Sequence, residues 1–403
     1  MQLPVCWILI IMQCPHIHAT TGFLDGAFHG LFTTNTLLMG LKCGIIGMTN
    51  SGKTTLFNCM SNFKGEVSSF AFSNQKSNFG TAQVPDPRLE HLHTLVKADK
   101  MTFATIELID IPGLVKGSGQ GGGIGNSFLG DVRLADVLIH VVRCFDDDNL
   151  PHIEGSVNPV RDKEIIDLEL QVKDLEQIEK KLIKVEKAFK VGDKTAKAQF
   201  ESLSKMKDAL EDFTNVRDIE QNDEDQSIIN ELCLLTAKPV IYVCNVDDKS
   251  IQTLNNHVEK FSISVEKENS QVLVVAGAVE ADIASFEDAD EREMFLNDLG
   301  LSEPGVNRLA RAAYEQLNLI SFFTVGGKEN RAWTIRKGMN AQQAAGAIHS
   351  DLERGFIRAE VISYNDMAEL KSEQACKEKG KMRLEGKSYP VQDGDILHVR
   401  FNV

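Results

Sequence analysis

Four short apolar runs, rich in β-branched residues, punctuate the first 250 residues of the chain. They cover Lys42–Ile46, Thr105–Ile111, Val137–Phe145 and the stretch VIYVCN at 240–245. Runs of this length, bounded by Gly, Asn or Asp, predict buried strands, and the amphipathic stretch after the first run predicts a helix. The pattern therefore favours an α/β fold whose strands end in polar loops.

The segment between the third and fourth runs has a helical pattern. Apolar residues recur every seven positions, with two more between them: Leu168, Leu175, Leu182 and Phe189, then Ile178 and Val185. The sequence VGDK at 191–194 interrupts this repeat. A second helical pattern follows, with apolar residues at spacings of three and four: Phe200, Leu203, Met206, Leu210 and Phe213. The two patterns predict an antiparallel helical hairpin, either a scaffold or an arm for docking a partner.

The pattern changes again near Leu319, where short strand-like runs surround one predicted helix near Ala341–Leu352. The runs are FFTVGG, RAWTI, IRAEVISY and ILHVRFNV. This C-terminal stretch carries 13 Lys and Arg against 11 Asp and Glu, and its most basic part is KEKGKMR at 377–383. A small, mildly basic module suggests contact with RNA or the ribosome, and the alternative is an ordinary solvated face.

Composition limits the partners of the chain as a whole. The 403 residues are 42% hydrophobic and 25% charged, as in ordinary globular proteins, and the length suits two or three domains. The formal net charge of −15 makes the chain a poor general binder of polyanions, so any nucleic-acid contact needs a local basic face. The eight cysteines include no CxxC pair, which favours reduced thiols in an intracellular protein, each most simply a buried small hydrophobic residue.

The first 38 residues differ from the rest, because Asp25 is their only charged side chain. The apolar run Val5–Met12 is too short to span a bilayer. It is similar to the core of a signal peptide with Ala19 near a cleavage point, but no basic residue precedes it. We therefore expect residues 1–38 to be either a leader or an unstructured extension. No other stretch is long and apolar enough to predict a transmembrane helix.

The loop after the first run carries a complete phosphate-binding motif. In GMTNSGKTTLFN, residues Gly47, Gly52, Lys53 and Thr54 match the pattern GxxxxGK[ST]. The glycines allow backbone N–H groups to surround an anion, and the following helix directs its positive end at the same point. We expect Lys53 to reach the β- and γ-phosphates of a nucleotide and the Thr54 hydroxyl to ligate Mg²⁺. The predicted nucleotide contacts are Asn50, Ser51, Gly52, Lys53, Thr54 and Thr55.

The second run ends in DIPG, which at this distance after a P-loop predicts a γ-phosphate sensor. Asp110 is expected to hold Mg²⁺ through water, and the Gly113 N–H to contact the γ-phosphate. Leu114 stands where Ras-like proteins have a Gln that orients the attacking water, so catalysis needs another group or a partner. The glycine-rich stretch 116–126 is better explained as a switch loop than as a linker.

The fourth run ends in NVDD at 245–248, where GTP-binding proteins have Asn-Lys-x-Asp to hold guanine. Asn245 is kept, and Val246 replaces the lysine that packs along guanine. Asp248 matches the carboxylate that accepts hydrogen bonds from guanine, and adenine lacks those donors. The loop is therefore mixed: Val246 favours ATP, and Asp248 favours GTP.

From Met39 to Val403 the chain resembles the Obg-like ATPases, also called YchF proteins. The similar blocks include MGLKCGIIG, VPDPRLEHL, DIPGLVKGSGQGGGIGNSFL, HVVRCFDDDN, KPVIYVCNVDD, QAAGAIHSDLERGFIRAEVI and EGKSYPVQDGDILHVRFNV. The resemblance implies an α/β Ras-like P-loop NTPase domain (39–160 and 236–318), an inserted antiparallel coiled-coil arm (161–235) and a C-terminal β-grasp domain of the TGS type (319–403). The family's initiator Met corresponds to Met39, which leaves residues 1–38 as an addition.

Members of this family hydrolyse ATP and associate with ribosomes. The resemblance therefore implies a Mg²⁺-dependent ATPase that acts as a slow nucleotide switch on the ribosome. Leu114 fits the family's hydrophobic replacement for the catalytic Gln. His152 matches a loop histidine that the family is thought to use in catalysis, so the predicted catalytic residues are His152, Lys53 and Gly113.

The family's first switch carries a Thr that completes Mg²⁺ coordination, but this chain has AFSNQKSN there, with Asn74 at the Thr position. The predicted metal ligands are therefore Thr54, Asn74 and Asp110. An amide oxygen ligates Mg²⁺ but cannot also donate as a hydroxyl does, which weighs against efficient turnover.

Two rival functions stay open at this point. Asp248 supports a GTPase of the Obg type, and Asn74 with Leu114 supports a nucleotide-gated ribosome-binding module with negligible hydrolysis. The expected partners are the ribosome and RNA, reached through the TGS domain and the helical arm, and a monomer is expected. The expected location is the cytoplasm, or a plastid or mitochondrion if residues 1–38 are a leader.

Overall fold

The structure, a computed structural model, describes residues 41–61, 77–112, 123–268 and 270–402. The strands in these ranges are β1 (Lys42–Ile46), β2 (Asn78–Val84), β3 (Lys100–Thr102), β4 (Ala104–Asp110), β5 (Val137–Arg143), β6 (Val240–Asn245), β7 (Gln271–Val275), β8 (Leu319–Thr324), β9 (Glu329–Arg336), β10 (Phe356–Ser363), β11 (Arg383–Glu385) and β12 (Asp395–Phe401).

The helices in the same ranges are α1 (Lys53–Ser61), α2 (Pro87–Leu95), α3 (Gly123–Leu134), α4 (Pro159–Lys190), α5 (Lys194–Glu211), α6 (Asp223–Leu232), α7 (Asn256–Ser264), α8 (Gly277–Ser285), α9 (Ala289–Asp298), α10 (Gly305–Gln316), α11 (Ala341–Ile348), α12 (Ser350–Arg354), α13 (Tyr364–Leu370) and α14 (Glu373–Glu378). Short 3-10 turns cover Val216–Asp218 and Asp248–Ser250. None of these helices combines the length and the apolar character that crossing a bilayer would require.

The four apolar runs of the sequence form the centre of a six-stranded sheet in the order β2-β4-β1-β5-β6-β7. The strands are parallel except β2, which runs antiparallel to β4. Every residue of β5 and β6 is buried, as in parallel sheets covered on both faces. The prediction of an α/β Ras-like domain is therefore confirmed, and the carboxyl ends of the five parallel strands meet along one edge.

The inserted segment is an antiparallel hairpin of α4 and α5. Most of the predicted seam packs together: Ile178, Val185, Leu203, Met206 and Leu210 are buried, and Leu175, Leu182, Phe189 and Phe200 are partly buried against them. Near the turn, the rings of Phe189 and Phe200 stack with their centroids 4.8 Å apart. The prediction for Phe213 was wrong, because it lies beyond the end of α5 and its side chain is exposed. The prediction for Leu168, on α4, was also wrong, because its side chain is exposed. At this level α4 packs against the sheet through Ile166 and Leu170 instead of facing α5.

A buried carboxylate fixes the base of the arm to the start of β6. Asp174 accepts hydrogen bonds from the Leu235 and Thr236 N–H groups at 2.9 and 2.7 Å, and from the Thr236 hydroxyl at 2.7 Å. Burial raises the pKa of Asp174, although these donors oppose the shift. Because a buried carboxylate needs several donors, this contact holds α4 in one position on the sheet.

A second polar cluster lies on α4 about two to three helical turns before Asp174. Lys163 contacts both Asp167 and Glu268 at 2.7 Å, and Arg217 contacts Asp167 at 3.2 Å. The Tyr242 hydroxyl, on β6, donates to Glu268 at 2.6 Å. The cluster therefore connects α4, the 3-10 turn after α5 and the central strand β6 through charge-assisted contacts.

The C-terminal residues form a second sheet in the order β11-β10-β12-β8-β9-β3. Strand β12 lies parallel to β8, and the edge strand β3 comes from the nucleotide-domain segment, where Lys100–Thr102 pairs with residues 329–331. The single helix predicted near Ala341–Leu352 is two helices instead. His349 separates them in an extended conformation, and its Nδ1 accepts from the Asp351 N–H at 3.1 Å to cap α12.

Arg88, on α2, connects the nucleotide domain to the C-terminal domain. The Arg88 guanidinium, on α2, donates to Asp393 at 2.7 and 3.2 Å and to Asp86 at 2.8 Å. It also lies over the Phe323 ring, 5.4 Å from the centroid. At the other end of α2, the side-chain amide of Asn330, on β9, donates to the carbonyl of Val96, the residue directly after the helix, at 2.6 Å. These contacts dock the C-terminal domain on α2.

We predict that Arg88→Ala lowers the free energy of unfolding by about 1–3 kcal/mol, because it removes forked, charge-assisted bonds and leaves Asp86 without its main partner. Chemical denaturation measures the change. Arg354→Ala is the matched control, since Arg354 pairs with Asp351 on an exposed surface, and it should cost less than about 0.5 kcal/mol. Equal effects of the two variants would contradict the assigned role of Arg88.

Candidate functional site

The turn between β1 and α1 is a loop whose glycines are required by close contacts. Gly52 has φ +97°, and a Cβ there would lie 2.1 Å from Nδ2 of Asn245. Gly47 has φ +152°, and a Cβ there would lie 2.3 Å from the Val141 carbonyl oxygen. Side chains would therefore clash as well as strain the backbone. The loop curls tightly over the ends of the neighbouring strands, as predicted for a phosphate-binding loop.

Lys53 begins α1 and is buried in this loop. Its Nζ donates to the Met48 carbonyl at 2.8 Å. Burial lowers the pKa of Lys53 to about 8, and the nearby Asp110 carboxylate opposes the shift. The first turn of α1 contains no acidic residue. A buried ammonium group and the positive end of a helix therefore face the same space, which suits a phosphate group.

Thr54 and Asp110 form a candidate metal site beside Lys53. The Thr54 hydroxyl donates to Oδ2 of Asp110 at 2.9 Å, which leaves the hydroxyl lone pairs available to a cation. The Asn78 amide approaches the same Oδ2 at 3.4 Å. Oδ1 of Asp110 is buried and has no hydrogen-bond partner among the described residues, and burial raises the pKa of this carboxyl. A hydroxyl and an unpartnered carboxylate oxygen are the ligand types that Mg²⁺ prefers.

The Asn245 side chain joins three loops. Its Nδ2 donates to the Ser51 carbonyl at 2.9 Å, and its Oδ1 accepts from the Gly277 N–H at 2.8 Å. Asn245 itself is buried at the end of β6. The phosphate loop, the end of β6 and the start of α8 are therefore held together by one amide.

These loops surround a cleft of about 860 Å³. Most of the predicted contact residues line it: Asn50, Gly52, Lys53, Thr54, Thr55, Asn245, Val246 and Asp248. Ser51 does not, since its side chain is buried and only its carbonyl contributes, through Asn245. A cleft of this size accommodates a nucleotide-sized ligand.

Several residues that line the cleft were not predicted from the sequence, and these are Phe145, Asp146, Asp147, Leu150, Asp247, Gly277, Ala278, Val279 and Asp282. Phe145 and Leu150 follow β5, and Gly277 and Ala278 follow β7. Their common signal is position, because ligands bind beyond the carboxyl ends of parallel strands. No motif marks them.

Val246 and Asp248 differ in their surroundings. Val246 is 2% exposed and packs in the core beneath the cleft, so it contributes an apolar wall. Asp248 is exposed at the rim, and its Oδ1 accepts from the Lys249 N–H at 2.9 Å. Asp247 caps the following 3-10 turn through the Ser250 N–H at 3.0 Å.

His152 lies next to the cleft but is held away from it. Its Nδ1 accepts from the Glu154 N–H at 3.1 Å, which assigns the ring proton to Nε2, and Nε2 lies 2.9 Å from Oδ2 of Asp162. Its side chain is 4% exposed. The preceding residue, Pro151, accepts from the Asn50 amide at 3.3 Å, which ties this loop to the phosphate loop.

Asn74, Gly113 and Leu114 lie outside the described residues, as does the predicted switch loop up to Gly122. The last residues of that predicted loop, 123–126, belong to α3. The predictions for Asn74 as a metal ligand and for Gly113 as a γ-phosphate contact stay predictions.

Two family models match separate parts of the chain. A model described as "50S ribosome-binding GTPase" matches residues 42–188. The model YchF-GTPase_C, described as "Protein of unknown function (DUF933)", matches residues 319–402. The first match covers the phosphate loop and Asp110, and the second begins where β8 begins.

Curated relatives and one solved structure are similar over nearly the whole chain. The protein named "Ribosome-binding ATPase YchF" from Escherichia coli O157:H7 is 46% identical over 365 residues, 91% of this chain and 100% of the relative. The protein of that name from Bacillus subtilis (strain 168) is 44% identical over 367 residues, with the same coverage. The solved structure of the Schizosaccharomyces pombe YchF GTPase superposes with a TM-score of 0.79 at 34% identity, covering 90% of this chain and 98% of that one.

We predict that Asn245→Ala lowers the free energy of unfolding by about 2–4 kcal/mol, because the Ser51 carbonyl and the Gly277 N–H each lose a buried partner. Denaturant titration measures the loss. Asn297→Ala, on the exposed surface of α9, is the control and should change stability by less than about 0.5 kcal/mol. A loss at Asn245 no larger than at Asn297 would show that the three loops do not depend on this amide.

Proposed function

The chain belongs to the YchF family, and from that premise we propose that it is a ribosome-associated P-loop NTPase that binds and slowly hydrolyses ATP with Mg²⁺. The observation that carries this proposal is the juxtaposition of Lys53, Thr54 and Asp110 at one end of a nucleotide-sized cleft. The lysine supplies positive charge for the β- and γ-phosphates, and the α1 N–H groups bind the same oxygens. The names of the bacterial relatives support hydrolysis of ATP.

Mg²⁺ fits the lone pairs of Thr54 and the Asp110 carboxylate oxygen that has no hydrogen-bond partner in the described part of the chain. We propose these two residues as its ligands, with Asn74 as the third protein group. When bound, the cation neutralises charge on the β- and γ-phosphates. The chain's own part is to hold Asp110 in place, since Thr54 and Asn78 both engage Oδ2 and leave Oδ1 for the cation or its water.

The adenine is proposed to lie between the apolar wall at Val246 and the loop that carries Phe145 and Leu150. Asn245 orients the wall, because both ends of its amide are already engaged by Ser51 and Gly277. Without the lysine of the GTPase motif, nothing in NVDD is specific for guanine except Asp248. The rival function, a GTPase, rests on that residue and on the name of the fission-yeast relative, which calls that protein a GTPase.

The proposed catalytic residues are Lys53, Gly113 and His152. Lys53 and the Gly113 N–H stabilise charge that develops on the γ-phosphate. His152 would orient or deprotonate the attacking water, with Asp162 fixing its tautomer. In this structure His152 contacts Asp162 and does not line the cleft, so its loop must move before it acts. Such a step agrees with slow turnover.

The proposed partner is the ribosome, because the bacterial relatives are named ribosome-binding proteins. We propose that the chain works as a cytoplasmic monomer and reaches ribosomal RNA through the arm and the C-terminal domain. Nucleotide state would control this binding, since the phosphate loop and the arm are both attached to β6.

We predict that the wild type binds ATP more tightly than GTP and that Asp248→Asn changes ATP affinity by less than about threefold, because adenine offers this carboxylate no donor. Competition between ATP and GTP for a fluorescent nucleotide measures both affinities. Lys53→Ala is the control and should weaken both nucleotides alike. A wild type that prefers GTP, and loses that preference about tenfold or more in Asp248→Asn, would establish the GTPase instead.

We predict that His152→Ala lowers the ATP turnover rate by about tenfold or more while the dissociation constant for ATP stays unchanged. Single-turnover hydrolysis measures the rate, and the melting temperature is followed in parallel. His257→Ala is the control, because His257 also contacts a carboxylate, Asp146, at 3.3 Å but lies on α7. A rate that falls only in proportion to the loss of folded protein would assign His152 a structural role.

A further inference from the structure

We propose that the tip of the helical arm, residues 180–197, is a contact for the phosphate backbone of RNA. The inference rests on the proposed association with the ribosome and extends it by naming a surface and its chemistry. It concerns the last turns of α4, the turn at 191–193 and the first turn of α5.

Charge distinguishes this tip from the rest of the chain. Residues 180–197 contain seven lysines and two acidic residues, Glu186 and Asp193, a net charge of +5 in a chain of net charge −15. One of the two acids is occupied, because Asp193 caps α5 through the Thr195 and Ala196 N–H groups. An acidic protein binds a polyanion only through a local basic surface, and the tip is such a surface.

Most of these lysines are available to a ligand. Four of them, Lys180, Lys184, Lys187 and Lys194, are exposed and make no ion pair within the described ranges. Lys190 and Lys197 pair only with exposed glutamates one turn away, and such pairs cost little to break. Lys181 is the exception, since it contacts Glu231 on α6 at 2.6 Å.

The basic stretch at 377–383, which the sequence favoured for RNA, is less available. Lys381 contacts Asp366 at 2.9 Å. Arg383 lies 3.7 Å from Glu385 and 3.8 Å from Asp395, and it donates to the Tyr389 hydroxyl at 2.9 Å. Two of its four cations are therefore engaged within the C-terminal domain. The geometry favours the arm over this patch.

The position of the tip reinforces its charge. Asp174 fixes α4 to Thr236, and Lys190 lies sixteen residues further along the helix, about 24 Å away at 1.5 Å per residue. This distance exceeds the screening length of about 8 Å at physiological ionic strength. The acidic groups around Asp174 therefore do not cancel the field at the far end of the tip, although Lys181 lies nearer to them and is paired. The Phe189–Phe200 stack holds the two helices of the tip together.

The side chains define what kind of contact this is. Lysine ammonium groups bind phosphates as point charges, and the tip offers no arginine fork for base edges. The contact should therefore be independent of RNA sequence and strongly dependent on salt.

The test compares full-length variants for binding to a short RNA duplex, by fluorescence anisotropy across a range of KCl concentrations. The arm variant is Lys184→Ala, Lys187→Ala and Lys194→Ala together. The control, Lys260→Ala, Lys267→Ala and Lys337→Ala together, removes the same charge from exposed sites elsewhere. The arm variant should bind the RNA at least about tenfold more weakly than the wild type. The negative slope of its log affinity against log salt should become shallower by about two. The control should change neither quantity by as much.

A third variant, Lys377→Ala, Lys379→Ala and Lys387→Ala, tests the basic stretch at 377–383 together with the exposed Lys387 that follows it. The inference is overturned if this variant alone loses RNA, if arm and control variants behave alike, or if the tip binds anionic phosphatidylserine vesicles in preference to RNA. ATP affinity of every variant is measured in parallel. Intact ATP binding with no RNA binding by the wild type refutes the arm inference alone. Absent ATP binding refutes the proposed function, whatever the RNA result.

Discussion

The amide of Asn245 is the contact on which the geometry of the site depends. It occupies the end of β6, donates to the phosphate loop at Ser51 and accepts from the start of α8 at Gly277. Because Nδ2 lies only 2.1 Å from the position that a Cβ of residue 52 would take, the amide also explains why glycine is required there. The direction of α1, and with it the positions of Lys53 and Thr54, follows from this packing. An apolar residue at 245 would remove the hydrogen bonds to Ser51 and Gly277, so the amide would no longer fix the three loops relative to one another.

The same strand carries the arm at its other end. Asp174 binds the residues that lead into β6, and Tyr242, in the middle of β6, joins the cluster of Lys163, Asp167 and Glu268. The nucleotide cleft and the arm are thus attached to opposite ends of one buried strand six residues long. A rigid connection of this kind would allow a displacement of the loops to move the arm as a whole, in line with the nucleotide control proposed above.

Local motifs were predictable from the sequence, and long-range pairings were not. GMTNSGKTT fixes its own backbone, so Lys53 and Thr54 could be assigned from the motif alone, and the heptad pattern located the hairpin. The prediction for Leu168 was wrong because periodicity places a residue on one side of a helix but does not show whether α5 or solvent lies opposite that side. The helix predicted at 341–352 is two helices because the backbone of His349 is extended, and no Pro or Gly next to His349 signals this break in the sequence. Phe145 entered the site only because β5 ends beside β6.

Strand β3 has a consequence for how the domains are delimited. A fragment beginning at Leu319 contains the whole region that the C-terminal family model matches. It nevertheless lacks the strand that completes the sheet, since Lys100–Thr102 belongs to the other domain. The vacated border of β9 would present unpaired N–H and C=O groups to any extended peptide, including a second copy of the fragment. Strand addition and self-association are therefore built into the isolated module. A chimaera that exchanges this module between proteins must transfer residues 100–102 with it, although they lie more than two hundred positions upstream.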